Sequence, residues 1–253
     1  MPTIVVFDCE SDSKPVRTDD RGGPDFQFVQ CTVVCAIELD TKHVMTADSA
    51  ELALSYAKEI TCWRDVVPAK GCSPFKELFD AFDNAELIVG YNSLDFDMPL
   101  LWKHYGSKGA RRYMEHRLKS LDIFSRIRTV TNVWPKLEKV LASNHLGSKS
   151  GDGAKAIKLW EENKRSELRE YCMQDVRLTA HLALLPRLRL GGSWIPSHVY
   201  GAGPALQAIR ASYAATSCNS SATHTPASSP TQEATGDEVF VFVPYPDGTP
   251  QFG

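Results

Sequence analysis

Apolar positions along the chain change period several times, and the changes mark out its elements. Ile4-Val5-Val6-Phe7 is an unbroken apolar run and predicts a strand buried on both faces, closed by Asp8-Cys9-Glu10. A polar loop with Pro15, Gly22, Gly23 and Pro24 follows. Phe26 to Leu39 (FQFVQCTVVCAIEL) is β-branched and mostly apolar and predicts a second strand. A tight turn at Asp40-Thr41-Lys42 then predicts an antiparallel third strand over His43 to Ala47, with a short helix or insertion over 49–60. Ser73-Pro74 reads as a helix start, and Phe75, Leu78, Phe79 and Phe82 keep helical spacing to about Asn84. Leu87 to Tyr91 predicts a fourth strand, parallel to its neighbour because a helix precedes it. This β-β-β-α-β order implies an α/β domain with a mixed sheet, antiparallel strands first and parallel strands after, flanked by helices.

Beyond that point the spacing predicts a helix from about Met98 to Tyr105, and a fifth strand or a helix start at Leu121 to Phe124. A helix near Pro135 to Ser143 and a flexible Gly147–Gly153 loop follow. The loop lacks the spacing of a nucleotide-phosphate loop. From Arg165 to about Leu185, Leu168, Tyr171, Asp175, Leu178 and Leu182 share one helical stripe. Gly191-Gly192 is expected to end the compact region, so 1–190 reads as one domain and 191–213 as a closing segment with a short helix over Pro204 to Tyr213. Residues 214–253 read as a Ser/Thr/Ala/Pro-rich linker and an apolar tail. Val239 to Pro246 alternates β-branched and aromatic residues, as a strand added to an edge of this protein or of a protein partner would.

Composition narrows the function classes. At 43% hydrophobic and 23% charged, with net charge −3, the chain has no global basic signature of nucleic-acid binding. Locally, residues 102–128 hold eight cations against Glu115 and Asp122, interleaved with Trp102, Tyr105 and Tyr113. That run is either a solvated helical face or a surface that tracks phosphates. The seven cysteines include no Cys-x-x-Cys pair, which argues against a zinc site or a disulfide framework and for a reducing compartment. There is no apolar run of about 18 residues and no basic-then-apolar N-terminal signal, so a soluble intracellular protein without membrane contact is expected.

The chemistry lies in the acids. Asp8 and Glu10 stand at i and i+2 on a strand and project from one face. Two such carboxylates repel unless a cation lies between them, and a hard divalent metal suits oxygen donors. A plain polar strand end is the alternative. Asp97 opens a helix, where an Asp also serves as a cap, and Asp95 is its neighbour and rival. Asp175 interrupts an apolar stripe one turn after Tyr171, which is costly unless the carboxylate is paired or ligates a metal.

Taken in order, Phe7-Asp8-Cys9-Glu10, Asn92-x-x-x-Phe96-Asp97 and Tyr171-x-x-x-Asp175 resemble the three motifs of the DEDD superfamily of 3′–5′ exonucleases in its tyrosine-type (DEDDy) form. The likeness is to proofreading domains of family-B DNA polymerases and to stand-alone ribonuclease H-like exonucleases. The histidine-type version would place His where Glu170 stands. The resemblance spans roughly residues 1–190; the long loop after the first motif and the tail depart from it. It implies a ribonuclease H-like fold, with Asp8, Glu10, Asp97 and Asp175 holding two Mg2+ or Mn2+ ions. It further implies that Tyr171 orients the attacking water, and that Asn92 and Phe96 contact the substrate. The implied reaction releases nucleoside 5′-monophosphates from the 3′ end of single-stranded nucleic acid, DNA favoured. An exoribonuclease, or a catalytically silent nucleic-acid-binding module on a nuclease fold, are the competing readings.

Overall fold

The computed structural model describes residues 3–17, 24–67, 72–106, 109–149, 151, 153–196 and 200. In chain order the elements are β1 (Thr3–Ser11), the two-residue pair β2 (Val16–Arg17) and β3 (Pro24–Asp25), β4 (Cys31–Asp40), α1 (Thr41–Thr46), α2 (Ala50–Ser55) and β5 (Lys58–Trp63). Then come α3 (Lys76–Asn84), β6 (Ala85–Gly90), α4 (Asp97–Trp102), α5 (Ala110–Leu118), β7 (Ser120–Asp122) and α6 (Ile123–Thr131). α7 (Leu137–Ser143), α8 (Gly153–Glu161), α9 (Arg165–Leu184), β8 (Arg187–Leu190) and β9 (Ser193–Pro196) complete the described chain.

The main sheet has the order β5-β4-β1-β6-β7. β5, β4 and β1 run antiparallel to their neighbours, and β6 and β7 continue parallel. Because side chains alternate along β1, Ile4 and Val6 enter one core with α8 and α9, while Val5 and Phe7 enter the other with Phe75, Phe79 and Phe82. Each fully buried side chain of this size is worth about 1.5–3 kcal/mol over an exposed one. The result is an α/β, ribonuclease H-like mixed sheet covered by helices on both faces. No helix among the described residues is long and apolar enough to cross a membrane.

Several sequence expectations need correction. Residues 43–47 form no strand, because the Asp40 carboxylate accepts the Lys42 N–H at 2.8 Å and starts α1. The third strand of the meander is β5 instead. β4 begins at Cys31 rather than Phe26, since a turn from Phe26 to Val29 and the Asp12 carboxylate on the Gln30 N–H occupy the preceding backbone. Leu121 to Phe124 is both things expected of it: β7 ends at Asp122, which caps α6. α8 had no counterpart in the sequence reading. Gly191 and Gly192, at φ 55° and 87°, do not end the ordered chain but turn it from β8 into β9. The helix expected over 204–213 and the linker and tail expected over 214–253, including 239–246, lie outside the described residues.

One feature of register positions everything that follows. β1 pairs with β4 over its whole length, but with β6 only as far as Val6↔Val89. β6 stops at Gly90, and the chain turns away through Asn92, in the left-handed region at φ 63°. The last residues of β1 therefore have no strand on that side. Gly90 makes the departure close: a Cβ there would meet Ser93 Cβ and Oγ at 2.4 Å. Gly90→Ala is expected to lower stability by about 1–3 kcal/mol in urea unfolding by forcing the 91–96 turn outward. An unchanged midpoint would contradict this tight approach.

Candidate metal centre

The open flank of β1 is filled by a carboxylate. Asp97, the first residue of α4, accepts the Cys9 N–H on Oδ1 at 2.7 Å, doing for this strand end what β6 does for the rest. On either side of Cys9, Asp8 and Glu10 point to the α9 face. From α9, Cys172 donates its thiol to the Asp8 carbonyl at 3.4 Å. Donor atoms of Asp8, Glu10 and Cys172 all lie within 4.8 Å of one another, a group able to hold a metal ion. Asp175, one turn further along α9, is almost fully buried, and neither of its oxygens has a directed hydrogen-bond donor among the described residues. Lys149 Nζ lies 2.6 Å from Asp175 Oδ2 as an ion pair.

The electrostatics tie these groups together. Burial raises the Asp8 pKa well above the ordinary carboxylate range, and the charges of Asp97, Glu10 and Asp175 push it the same way. Glu10 is raised by burial and by Asp175, with Lys149 opposing. Asp97 is raised to about 7 by burial, although the Cys9 N–H bond opposes the shift. Asp175 is raised by burial and drawn back by Lys149. Burial opposes the charge of Lys149 itself, but Asp8 and Asp175 outweigh it and hold the ammonium above the usual lysine range. Lys149 thus offsets the charge of three of these desolvated carboxylates, Asp8, Glu10 and Asp175. Such a donor set of hard oxygens, with Lys149 on Asp175 as a counter-charge, fits a metal ion.

Tyr171 sits beside the cluster, and its OH donates to the Gly151 carbonyl at 3.2 Å. Burial and the Glu10 charge push its phenol above the ordinary tyrosine range, so it stays protonated. Gln174 Nε2 donates to the Ser148 carbonyl at 3.3 Å. The glycine-rich loop expected to be flexible is therefore held to α9 at Ser148, Lys149 and Gly151.

The remaining candidates are placed around this core. Asn92 N–H donates to Asp122 Oδ1 at 2.9 Å, and Leu94 N–H to Asp122 Oδ2 at 3.0 Å, so the second motif hangs from the end of β7. Phe96 is half-buried and meets Phe26 edge to face at 5.5 Å. Asp95, the rival of Asp97, is exposed and faces Arg128 at 3.7 Å. The basic run is largely spent on bracing. Lys103 donates to the carbonyls of Phe26, Gln27 and Val29, Arg117 to that of Leu94, and Lys119 to those of Asp83 and Ala85. Arg111 pairs with Glu115 and Arg112 with Asp83, while Trp102 packs on Tyr113. It is not a continuous phosphate-tracking surface.

Lys149, Cys172 and Asp122 escaped the sequence reading. Lys149 is a lone cation in a polar loop, and nothing local announces its partner. Cys172 has the composition of a core residue. Asp122 carried a signal, an Asp at a strand-to-helix junction, but it was counted only as an acid in a basic run.

No protein-family model matches the chain, and no curated protein does. Among solved structures, it is similar to the family B DNA polymerase from the hyperthermophilic archaeon Pyrobaculum calidifontis, at 19% identity and a TM-score of 0.49. The match covers 72% of this chain and 24% of that one, so the chain spans about a quarter of the polymerase. A likeness at this level carries no functional argument.

The raised carboxyl pKa values set a pH dependence. Without metal, the folded chain keeps a proton on Asp97 between the ordinary aspartate range, about 4, and about 7, and the raised pKa values of Asp8, Glu10 and Asp175 act in the same direction, whereas the unfolded chain has lost these protons. The folded state binds more protons, so stability falls as pH rises through that window. Melting of the EDTA-treated chain is expected to shift to lower temperature from pH 5 to pH 7.5, and Mn2+ to raise it more at pH 7.5 than at pH 5. A rising or flat EDTA profile, with no effect of Mn2+, would contradict the shared desolvated cluster.

Proposed function

We propose that this chain is a divalent-metal-dependent 3′–5′ exonuclease. It hydrolyses phosphodiester bonds of single-stranded nucleic acid, DNA favoured, to nucleoside 5′-monophosphates. The observation that supports this most is the convergence of Asp8, Glu10, Asp97 and Asp175, from three separate elements, into one desolvated, mutually repelling group with Lys149 against Asp175. On this reading residues 1–190 carry the activity, 191–213 form a closing segment, and 214–253 form a linker and a tail suited to a protein partner.

The four carboxylates would hold two Mg2+ or Mn2+ ions, which when bound lower the pKa of water and neutralise a leaving oxygen. The chain's own residues do the rest. Asp97 is oriented by the Cys9 N–H, and Asp175 by the rigid packing of α9. Tyr171, protonated and fixed by Gly151, positions water through its hydroxyl oxygen rather than acting as a base. Asn92 and Phe96, at the rim, hold the terminal nucleotide, which has to be unpaired to reach a buried cluster. Water forms a bond to phosphorus as the bond to the 3′ oxygen breaks. A proton passes to that oxygen, the shortened strand keeps a 3′-hydroxyl, and the released nucleotide keeps its 5′-phosphate.

A second reading rests on Lys149. An ammonium paired with Asp175 provides part of the counter-charge that a metal would, as in a silent binding module on a nuclease fold. Incubation of 5′-labelled single-stranded DNA and RNA with Mg2+ or Mn2+ separates the two. Products shortening one nucleotide at a time from the 3′ end are expected, abolished by EDTA and by Asp175→Ala. Tyr171→Phe is expected to slow them by about 100-fold, the cost of mispositioning a reacting group. Binding that ignores EDTA, with neither polymer cut, would favour the silent module. Cleavage of RNA alone would favour the exoribonuclease.

A further inference from the structure

Next to the second motif lies an exposed surface that the carboxylate cluster does not use. α6 ends at Asn132, whose left-handed φ of 54° and bond to the Arg128 carbonyl at 2.8 Å fold the chain back over the helix. This return places the Trp134 ring over the Arg128 guanidinium at 4.7 Å and edge-on to Phe124 at 6.0 Å. Arg128 also lies 5.7 Å from the Phe124 ring, and Phe124 packs on Tyr91 at 5.8 Å. The Tyr91 hydroxyl donates to the Pro135 carbonyl at 2.6 Å, which pins the segment carrying Trp134. Although held in this way, the Trp134 side chain is 66% exposed, with Val130 and Val133 exposed beside it. A fixed indole left in water, backed by an arginine, buries little of its own surface and so contributes little to the fold.

The surroundings say what would cover it. Arg126, Lys136 and Lys139 make no ion pair among the described residues, and Glu138 is the one carboxylate in 124–139. The surface adjoins the second motif, since Arg128 faces Asp95 at 3.7 Å and Tyr91 precedes Asn92. An exposed indole held over Arg128, with the unpaired Lys136 two residues along the chain, matches a polyanion with stackable rings. We propose that Trp134, backed by Arg128, is a stacking platform for a base of single-stranded nucleic acid upstream of the 3′ end, with Lys136 on its phosphates. This rests on the exonuclease reading for the placement of the 3′ end, but binding at the platform can be measured without cleavage.

The test uses the 253-residue chain in EDTA, with fluorescently labelled oligothymidylates of 2 and 16 nucleotides followed by anisotropy. Trp134→Ala is expected to weaken binding of the 16-mer by about tenfold, within the range for loss of one stacked base. Binding of the dinucleotide is expected to be unchanged and Trp134→Phe to retain most of the affinity. Lys136→Glu, an exposed change that leaves the indole in place, is expected to weaken the 16-mer and flatten its salt dependence. Wild-type affinity for the 16-mer in both Trp134→Ala and Lys136→Glu would overturn the platform while leaving the exonuclease reading intact if the wild type still cuts. A tenfold loss in Trp134→Ala from a wild type that binds but never cuts would support the platform and remove the exonuclease reading. No binding of either oligomer by the wild type would overturn the platform.

Discussion

The hydrogen bond from the Cys9 N–H to the Asp97 carboxylate is the constraint on which the candidate site depends. A buried strand end must find acceptors for its backbone, and β6 has already left. By supplying one, Asp97 draws the start of α4 against β1 and brings its carboxylate to the backbone between Asp8 and Glu10. The turn that makes this possible is itself hung from β7, because Asp122 accepts the N–H groups of Asn92 and Leu94. A chain of backbone requirements, running from β7 through the turn to β1, thus fixes three acids before any ligand is considered.

The same arrangement concentrates negative charge where it is costly. Strand alternation sends Asp8 and Glu10 to the α9 face, and α9 meets them with Asp175 rather than with a cation of its own. Lys149, brought in by a loop clamped to α9, offsets part of that charge. The remainder is offset by protons where the pKa values are raised, and it leaves a group of donor atoms able to hold a metal ion.

Much of this was legible in the sequence, for identifiable reasons. The four acids stand out because each breaks a local rule, whether an apolar strand, a helix start or a helical stripe. The central strand and α9 are long and strongly patterned. What the sequence hid was set by tertiary contact. Asp40 capping α1 turned an apparent strand into a helix. The pairing of Lys149 with Asp175 spans a loop with no periodicity. The basic run looked like a surface because its acceptors, backbone carbonyls of distant segments, leave no trace in sequence.

The most direct test of the central claim is the stoichiometry of Mn2+ binding to the 253-residue chain at pH 7.5, read by titration calorimetry or electron paramagnetic resonance. Two saturable ions per chain, with loss of binding in Asp8→Asn and in Asp97→Asn, are the expected result. A folded chain that binds no Mn2+ saturably, or binds it equally well in both variants, would contradict the assignment of these carboxylates to a metal centre.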